Sequence, residues 1–200
     1  MNAKTIGIPL LLFLLALGTS CASTGGGAPP SEEVMMQRMM AYGTPGAAHA
    51  ALANRVGTWD LKVRMFMSPD APPQESAGKS TMQWILDGRF IQDTTSGDFG
   101  GMPFHGQGLI GYDNLKHAYV GSWTDNMSTG IMASEGSYDA KAKTFHFTGP
   151  MPDAMVAQAY VEARTTETWT DADHFVMRTY TPGPDGKEVL NMEILYSRAR

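Results

Sequence analysis

Hydrophobic and polar residues alternate along most of the chain after Gly57. Alternation with a period of two is typical of β-strands that bury one face. Short links rich in turn residues separate the segments, and no pattern of helical length intervenes, so the strands should pair antiparallel. The pattern predicts about nine to ten strands, over the segments Trp59–Met67, Thr81–Leu86, Phe90–Thr95, Phe104–Tyr112, Ala118–Thr124, Ile131–Tyr138, Thr144–Thr148, Val156–Trp169, Phe175–Thr181 and Val189–Ser197. A glycine-rich loop is expected over Ser96–Pro103.

A sheet with this many strands must protect its two edges from aggregation. Closing the sheet into a barrel removes both edges. The sequence therefore predicts a mainly β protein, an antiparallel β-barrel of about 8–10 strands preceded by one or two short α-helices.

The two ends of the predicted sheet resemble lipocalin-like barrels of the calycin group. Gly57-Thr58-Trp59 opens the first strand and Arg198 closes the last, with Arg200 as the alternative arginine. In that group, a Gly-x-Trp motif packs against an arginine from the end of the barrel. The resemblance implies that a guanidinium lies on the face of the Trp59 indole, a cation–π contact.

A longer series of motifs resembles the family known as domain of unknown function 1579. The series covers roughly residues 45–198 and consists, in order, of His49-x-x-Leu52, Gly57-Thr58-Trp59, Leu86-Asp87-Gly88-Arg89-Phe90, Gly101-Met102-Pro103-Phe104-His105-Gly106, Gly111-Tyr112-Asp113-Asn114, Trp123-Thr124-Asp125, Gly136-Ser137-Tyr138-Asp139 and Met192–Arg198. The family more often has two glycines where this chain has Asp87-Gly88. The resemblance implies the barrel fold and leaves the function open.

Two short helices are expected before the barrel. The segment Glu32–Tyr42 follows Ser31, a good N-cap, and begins with two acids that suit the positive end of the helix dipole. A second helix is expected to start at Thr44-Pro45 and to end before Gly57. The predicted organisation is residues 1–20 as a signal peptide, 21–31 as a tether, 32–56 as helices and 57–200 as the barrel.

The N-terminus resembles a bacterial lipoprotein signal. Lys4 precedes the apolar run Ile6–Leu17, which is too short for a membrane span, and small residues lead to Cys21. The lone cysteine of the chain stands where such proteins are lipidated, which predicts a membrane-anchored lipoprotein facing the periplasm, in the inner or the outer membrane. The alternative is an ordinary cleaved signal followed by an incidental cysteine.

A weak internal repeat recurs along the predicted sheet. Tyr112-Asp113 and Tyr138-Asp139 each precede a lysine-containing link, and Trp169-Thr170-Asp171 is a looser copy. A propeller would need more chain than this protein has. The repeat therefore predicts recurring hairpin turns in which an aspartate accepts hydrogen bonds from the following backbone N–H groups.

The overall charge argues against nucleic acid as a partner. The formal net charge is −5 and no basic run occurs. A single cysteine excludes an internal disulfide and a zinc site made of cysteines.

A barrel of this size can hold one small ligand. The partners expected are therefore a membrane, through the anchor, and a small hydrophobic molecule in an apolar cavity. The residues predicted to line that cavity are His49, Trp84, His105, Tyr119, Trp123, Asp125, Phe145 and Phe147.

Two other functions stay open at this stage. Met35, Met36, Met39 and Met40 share one side of the first helix, and Met151 and Met155 form a further pair that could bind Cu(I). Haem binding through one of the five histidines belongs to the same metal-handling hypothesis. The third hypothesis is a hydrolase-like or isomerase-like enzyme using His105 and Asp125 on a lipophilic substrate. No catalytic motif or metal-ligand spacing selects either of them, and the sequence names no cofactor.

Overall fold

The computed structural model describes residues 29–68, 71–153, 158–183 and 185–200. Helix α1 spans Glu32–Gly43, helix α2 spans Ala47–Ala50, and a 3₁₀ turn spans Ala53–Arg55. Ten strands follow: β1 Gly57–Met65, β2 Gln74–Ile85, β3 Phe90–Phe99, β4 Met102–Asp113, β5 Ala118–Asp125, β6 Met132–Asp139, β7 Thr144–Asp153, β8 Ala159–Trp169, β9 His174–Pro182 and β10 Glu188–Arg198.

The ten strands form one closed antiparallel barrel. Each strand pairs with the next along the chain, and β1 pairs with β10 in a register that sets Trp59 opposite Arg198. The predicted fold class, an antiparallel barrel after short N-terminal helices, is therefore confirmed. We call the end that contains the start of β1 the lower end of the barrel and the opposite end the upper end.

The recurring aspartates form turns at the lower end. Asp113 Oδ1 accepts hydrogen bonds from the backbone N–H groups of Leu115 and Lys116. Asp139 Oδ1 accepts the same pair of bonds from Lys141 and Ala142. The internal repeat is thus a repeated hairpin turn, as predicted.

The segment between α1 and β1 differs from the prediction. Ser31 caps α1 as expected, because its Oγ accepts from the N–H of Val34 at 3.4 Å. Thr44 was expected to start the second helix, but its hydroxyl donates to the Met40 carbonyl and so ends the first. The second helix begins after Gly46 and lasts a single turn before the chain continues as the 3₁₀ turn.

The expected glycine-rich loop is also shorter than predicted. Strand β3 continues to Phe99 and β4 starts at Met102, so only Gly100 and Gly101 connect them. Both glycines have positive φ angles, of 62° and 88°, which residues with a side chain rarely adopt. Asp98 Oδ1 accepts from the Gly101 N–H and fixes the turn.

The lower end of the barrel is closed by a plug, which we define as residues Ala47–Arg55. Leu52 of the plug is fully buried against the aromatic core. The Trp59 indole N–H donates to the Arg55 carbonyl at 2.8 Å, and the Tyr119 hydroxyl donates to the Ala48 carbonyl at 3.0 Å. The plug therefore seals the lower end of the barrel.

Aromatic rings fill the space above the plug. The Trp59 indole makes edge contacts with the rings of Trp169 and Phe175, and Phe175 stacks on Tyr196 with 4.0 Å between ring centroids. Aromatic pairs of this kind add to the stabilisation that burial alone provides. Within the described residues, no helix has the length and apolar character needed to cross a bilayer.

Candidate functional site

The upper half of the barrel lumen is accessible to solvent. Side chains alternate between the two faces of a strand, so every second residue points into the lumen. Inward positions near the upper end keep accessible surface, and they include Val63, Ser76, Phe104, Trp123, Ser134, Met151 and Met192. Gln74 and Met102, which are inward positions nearest the upper end, are exposed. The described helices all belong to the N-terminal segment, and the plug closes the opposite end.

An aromatic wall lines this accessible half. The rings of Phe104 on β4 and Trp123 on β5 stack with an angle of 14° between planes and 6.4 Å between centroids. The indole lies over Gly106 and Gly108, where a Cβ atom would be 2.2 Å and 3.0 Å from the ring, respectively. Its N–H donates to Asp125 Oδ2 at 2.9 Å, which fixes the ring in place. These residues form a rigid, half-buried apolar surface inside the barrel.

A charged pair lies deeper in the lumen. Arg55 extends from the plug, and its Nη2 is 2.7 Å from Glu167 Oε2 on β8. Its guanidinium also lies 4.8 Å from the centroid of the Phe145 ring. Glu167 accepts a second bond, at 3.0 Å, from the indole N–H of Trp169. Both charged residues are buried, and burial raises the pKa of Glu167 although the Arg55 charge opposes this rise.

A second carboxyl group belongs to the same cluster. Asp93 on β3 accepts hydrogen bonds on Oδ1 from the hydroxyls of Ser80 and Thr95, at 2.7 and 2.9 Å. Desolvation raises the pKa of Asp93, while the two hydroxyls and the positive charge of Arg55 act in the opposite direction. The pKa of Tyr196 is raised as well, first by burial and then by the charges of Asp93 and Glu167. We call Arg55, Glu167, Asp93, Ser80 and Thr95 the lumen cluster.

Four of the predicted lining residues belong to the hydrophobic core. Tyr119 and Phe145 contact each other edge to face, with ring centroids 5.0 Å apart, and Phe145 stacks on Phe147. Trp84 packs against the same core from β2. Trp123 and Asp125, by contrast, belong to the accessible upper half described above. Within the predicted set, these two are the residues best placed to meet a ligand.

His49 is part of the plug. Its Nδ1 accepts a hydrogen bond from the Gly46 N–H at 3.1 Å, and its ring makes an edge contact with Tyr112. The pKa of His49 is lowered, mainly by burial and secondly by the positive charge of Arg89. This environment holds a neutral imidazole that shapes the helical turn.

The structure separates the other proposed chemical groups. His105 is exposed, and its position between the inward residues Phe104 and Gly106 sets it on the outer face, whereas Asp125 is on the inner face. The four methionines of α1 are between 49% and 64% exposed. Among the described residues, no three His, Cys, Asp or Glu side chains form a possible metal site. Cys21 and Met155 lie outside the described residues, so lipidation stays a prediction.

Gly57, Trp59 and Arg198 meet at the lower end. The Arg198 guanidinium lies 4.2 Å from the centroid of the Trp59 ring. It donates to the carbonyls of Val56, Asn54 and Ala172 and to the carboxylate of Asp173. A Cβ atom at Gly57 would be 2.5 Å from Arg198 Nη1, so only glycine leaves room for this contact.

Another buried carboxylate, Glu193, belongs to the outer surface. It accepts hydrogen bonds from Arg64 on β1 and Arg178 on β9, which are its neighbours in register. Such a cross-strand ladder of opposite charges stabilises strand pairing. Glu193 is therefore not part of the lumen cluster.

Sequence reasoning missed the lumen cluster. Asp93 shares a face with the apolar Ile91, and Glu167 shares a face with Trp169. The period-two alternation itself could have shown that both acids point inward. Polar residues next to them, such as Thr94 and Thr166, made the alternation of apolar and polar positions hard to recognise there.

The closed ten-strand barrel with a helical plug defines a lipocalin-like fold. Residues 44–198 match the family described as "Protein of unknown function (DUF1579)". The chain therefore belongs to this family. A comparison with curated proteins finds no match.

Two solved structures share the barrel fold with this chain. Rv2717c from M. tuberculosis is 13% identical, with a TM-score of 0.56 over 78% of this chain and 100% of that one. The S-type phycobiliprotein lyase CPES from Guillardia theta is 11% identical, with a TM-score of 0.51 over 78% of this chain and 99% of that one. At these identities the likeness concerns the fold.

Proposed function

We propose that this protein binds a small hydrophobic molecule in the upper half of its barrel. The observation that carries the proposal is the aromatic wall. Phe104 and Trp123 point into the lumen, yet both keep accessible surface. A ligand that covers these rings gains about 25 cal/mol for each Å² of apolar surface removed from water.

The surroundings of the wall suit such a ligand. The indole of Trp123 is held by its bond to Asp125 and by the glycines behind it, so little conformational freedom is lost on binding. The sealed lower end limits the depth to which a ligand can enter. A few polar groups within a largely apolar lumen are typical of small-molecule sites.

The fluorescent probe 1-aminoanthracene, a neutral and apolar molecule, tests this proposal. We expect saturable binding with one probe per protein, seen as a rise in probe emission. The substitution Trp123→Ala removes the largest ring of the wall and should weaken binding about ten-fold, which corresponds to about 1.4 kcal/mol.

Leu109→Ala serves as the matched control. Leu109 is on the same strand as the glycines under Trp123, but it points outward and is 42% exposed. It lines a shallow depression of about 220 Å³ on the outer surface, together with Phe90 and Val120. Binding that is lost in Leu109→Ala and kept in Trp123→Ala would place the probe outside the barrel and refute the proposal, as would an absence of binding.

A further inference from the structure

The lumen cluster contains polar atoms whose hydrogen-bonding capacity is not filled. Arg55 is 6% exposed, and its Nε has no hydrogen-bond partner among the described residues. Asp93 directs one oxygen, Oδ1, to both hydroxyls of the cluster. The described residues donate no hydrogen bond to its other oxygen, and Asp93 keeps accessible surface within the lumen.

Buried donors in proteins nearly always have a partner, so an unpaired guanidinium N–H points to a partner from outside the chain, either water or a bound molecule. The Arg55 side chain is already held in position by the Glu167 carboxylate and by the face of Phe145. Its free N–H is therefore a fixed donor. Asp93, which is fixed by Ser80 and Thr95, supplies an acceptor in the same cluster.

The charges of the cluster restrict what this outside group can be. The cluster holds one cation, Arg55, and two carboxyl groups, on Glu167 and Asp93. Glu167 already neutralises Arg55 at a contact distance of 2.7 Å. A carboxylate bound against the cluster would add a negative charge next to two acids, at a low effective dielectric constant. An uncharged group avoids that repulsion and can still accept from Arg55 and donate to Asp93.

We propose that the lumen cluster recognises the polar end of the bound molecule, and that it takes an uncharged group carrying both an acceptor and a donor, such as a carboxamide, in preference to a carboxylate. This inference rests on the proposed function, because the aromatic wall would hold the apolar part of the same molecule. The ligand class is then a neutral amphipathic molecule whose amide-like end lies deepest in the lumen.

Three probes with the same ring system distinguish the effect of ligand charge on affinity from the effect of ligand hydrogen bonding. They are naphthalene, naphthalene-2-carboxamide and naphthalene-2-carboxylate, each measured at pH 8 by displacement of 1-aminoanthracene. We expect the carboxamide to bind about ten-fold more tightly than the hydrocarbon and more tightly still than the carboxylate. A carboxylate that binds as well as the carboxamide would overturn the inference.

The variant Asp93→Asn tests the role of the cluster itself. Asparagine keeps an oxygen for the hydroxyls of Ser80 and Thr95, so the fold should be retained, but it removes one negative charge. We expect the preference for carboxamide over carboxylate to fall about ten-fold. Asp60→Asn is the control, because Asp60 is exposed on β1 and pairs there with Lys79. An equal change in both variants, or no change in Asp93→Asn, would contradict the inference.

The two proposals fail in different ways. If 1-aminoanthracene does not bind at all, the proposed function fails. If 1-aminoanthracene binds in a Trp123-dependent manner and the three naphthalene probes displace it equally, the barrel binds hydrophobic molecules while the lumen cluster does not select their polar end. In that case, water satisfies Arg55 and the inference is wrong.

Discussion

Single residues inside the barrel show how burial changes ionisation. The pKa of Asp93 is raised by desolvation, and the pKa of Glu167 is raised by the same cause. In the unfolded chain, an aspartate titrates with a pKa of about 3.9. The folded protein therefore holds protons on these acids at pH values where the unfolded chain has released them. Since the native state then binds more protons, its stability must fall as the pH rises through this window.

We predict that the unfolding free energy decreases as the pH rises above about 4 and that Asp93→Asn reduces this decrease. The neutral amide has no ionised form to desolvate, so the variant should gain stability relative to the original protein as the pH rises. Glu167, Arg55 and Tyr196 face the same space and remain, so part of the pH dependence should persist. Urea unfolding at several pH values measures the effect.

Surface acids do not contribute to this pH dependence of the unfolding free energy. Asp113 and Asp171 have pKa values lowered by backbone hydrogen bonds, so their contribution to stability is lost only below the ordinary range of carboxyl groups. The exposed Asp60→Asn variant provides the baseline. Parallel stability curves for Asp93→Asn and Asp60→Asn above about pH 4 would show that the lumen cluster does not titrate differently from the surface.

At the residue scale, the resemblance to calycin barrels implied one contact that the structure contains. The Gly57-Thr58-Trp59 motif and Arg198 suggested a contact that the barrel register brings about. The partner of Arg55 could not be foreseen, because Glu167 is distant in sequence and becomes its neighbour only when the 3₁₀ turn enters the closed barrel.

The N-terminal elements differ in how much they contribute to the barrel. Helix α1 has no buried residue, and its link to the barrel is Asn114, whose side-chain amide lies within hydrogen-bond distance of the Ala41, Tyr42 and Thr44 carbonyls. The plug, in contrast, buries Leu52 and Arg55. The Ser31 cap and helical periodicity predicted α1, and a second helix was predicted too, although its start was wrongly placed at Thr44. The unequal burial of the two elements depends on the barrel end, which the local sequence does not show.

We predict that a chain starting at Thr44 keeps the melting temperature within about 3 °C, since α1 contributes little packing. A chain starting at Gly57 should lose more than about 10 °C, or fail to fold, because it removes the fully buried Leu52 and leaves Glu167 without its cation. Thermal unfolding followed by circular dichroism measures both. Equal losses in the two truncations would mean that α1 is as important as the plug.

At the scale of the whole molecule, closure of the sheet and the filling of its interior are separate properties. The alternation of apolar and polar residues and the short links between strands predicted correctly that the sheet closes, because both are local features of the sequence. Which half of the lumen stays accessible was not predictable in the same way. Trp59 and Trp123 occupy equivalent inward positions, yet the first is fully buried by the plug and the second keeps accessible surface.

The four tryptophans allow the central claim to be tested directly. In protein labelled with ¹⁵N-tryptophan, each indole N–H gives one NMR signal, and 1-aminoanthracene can be added stepwise. We predict that the signal of Trp123, whose N–H is bonded to Asp125 in the accessible half, shifts most. The signal of Trp59, sealed by the plug, should stay unchanged. A Trp123 signal that does not move while the probe binds would contradict a binding site inside the barrel.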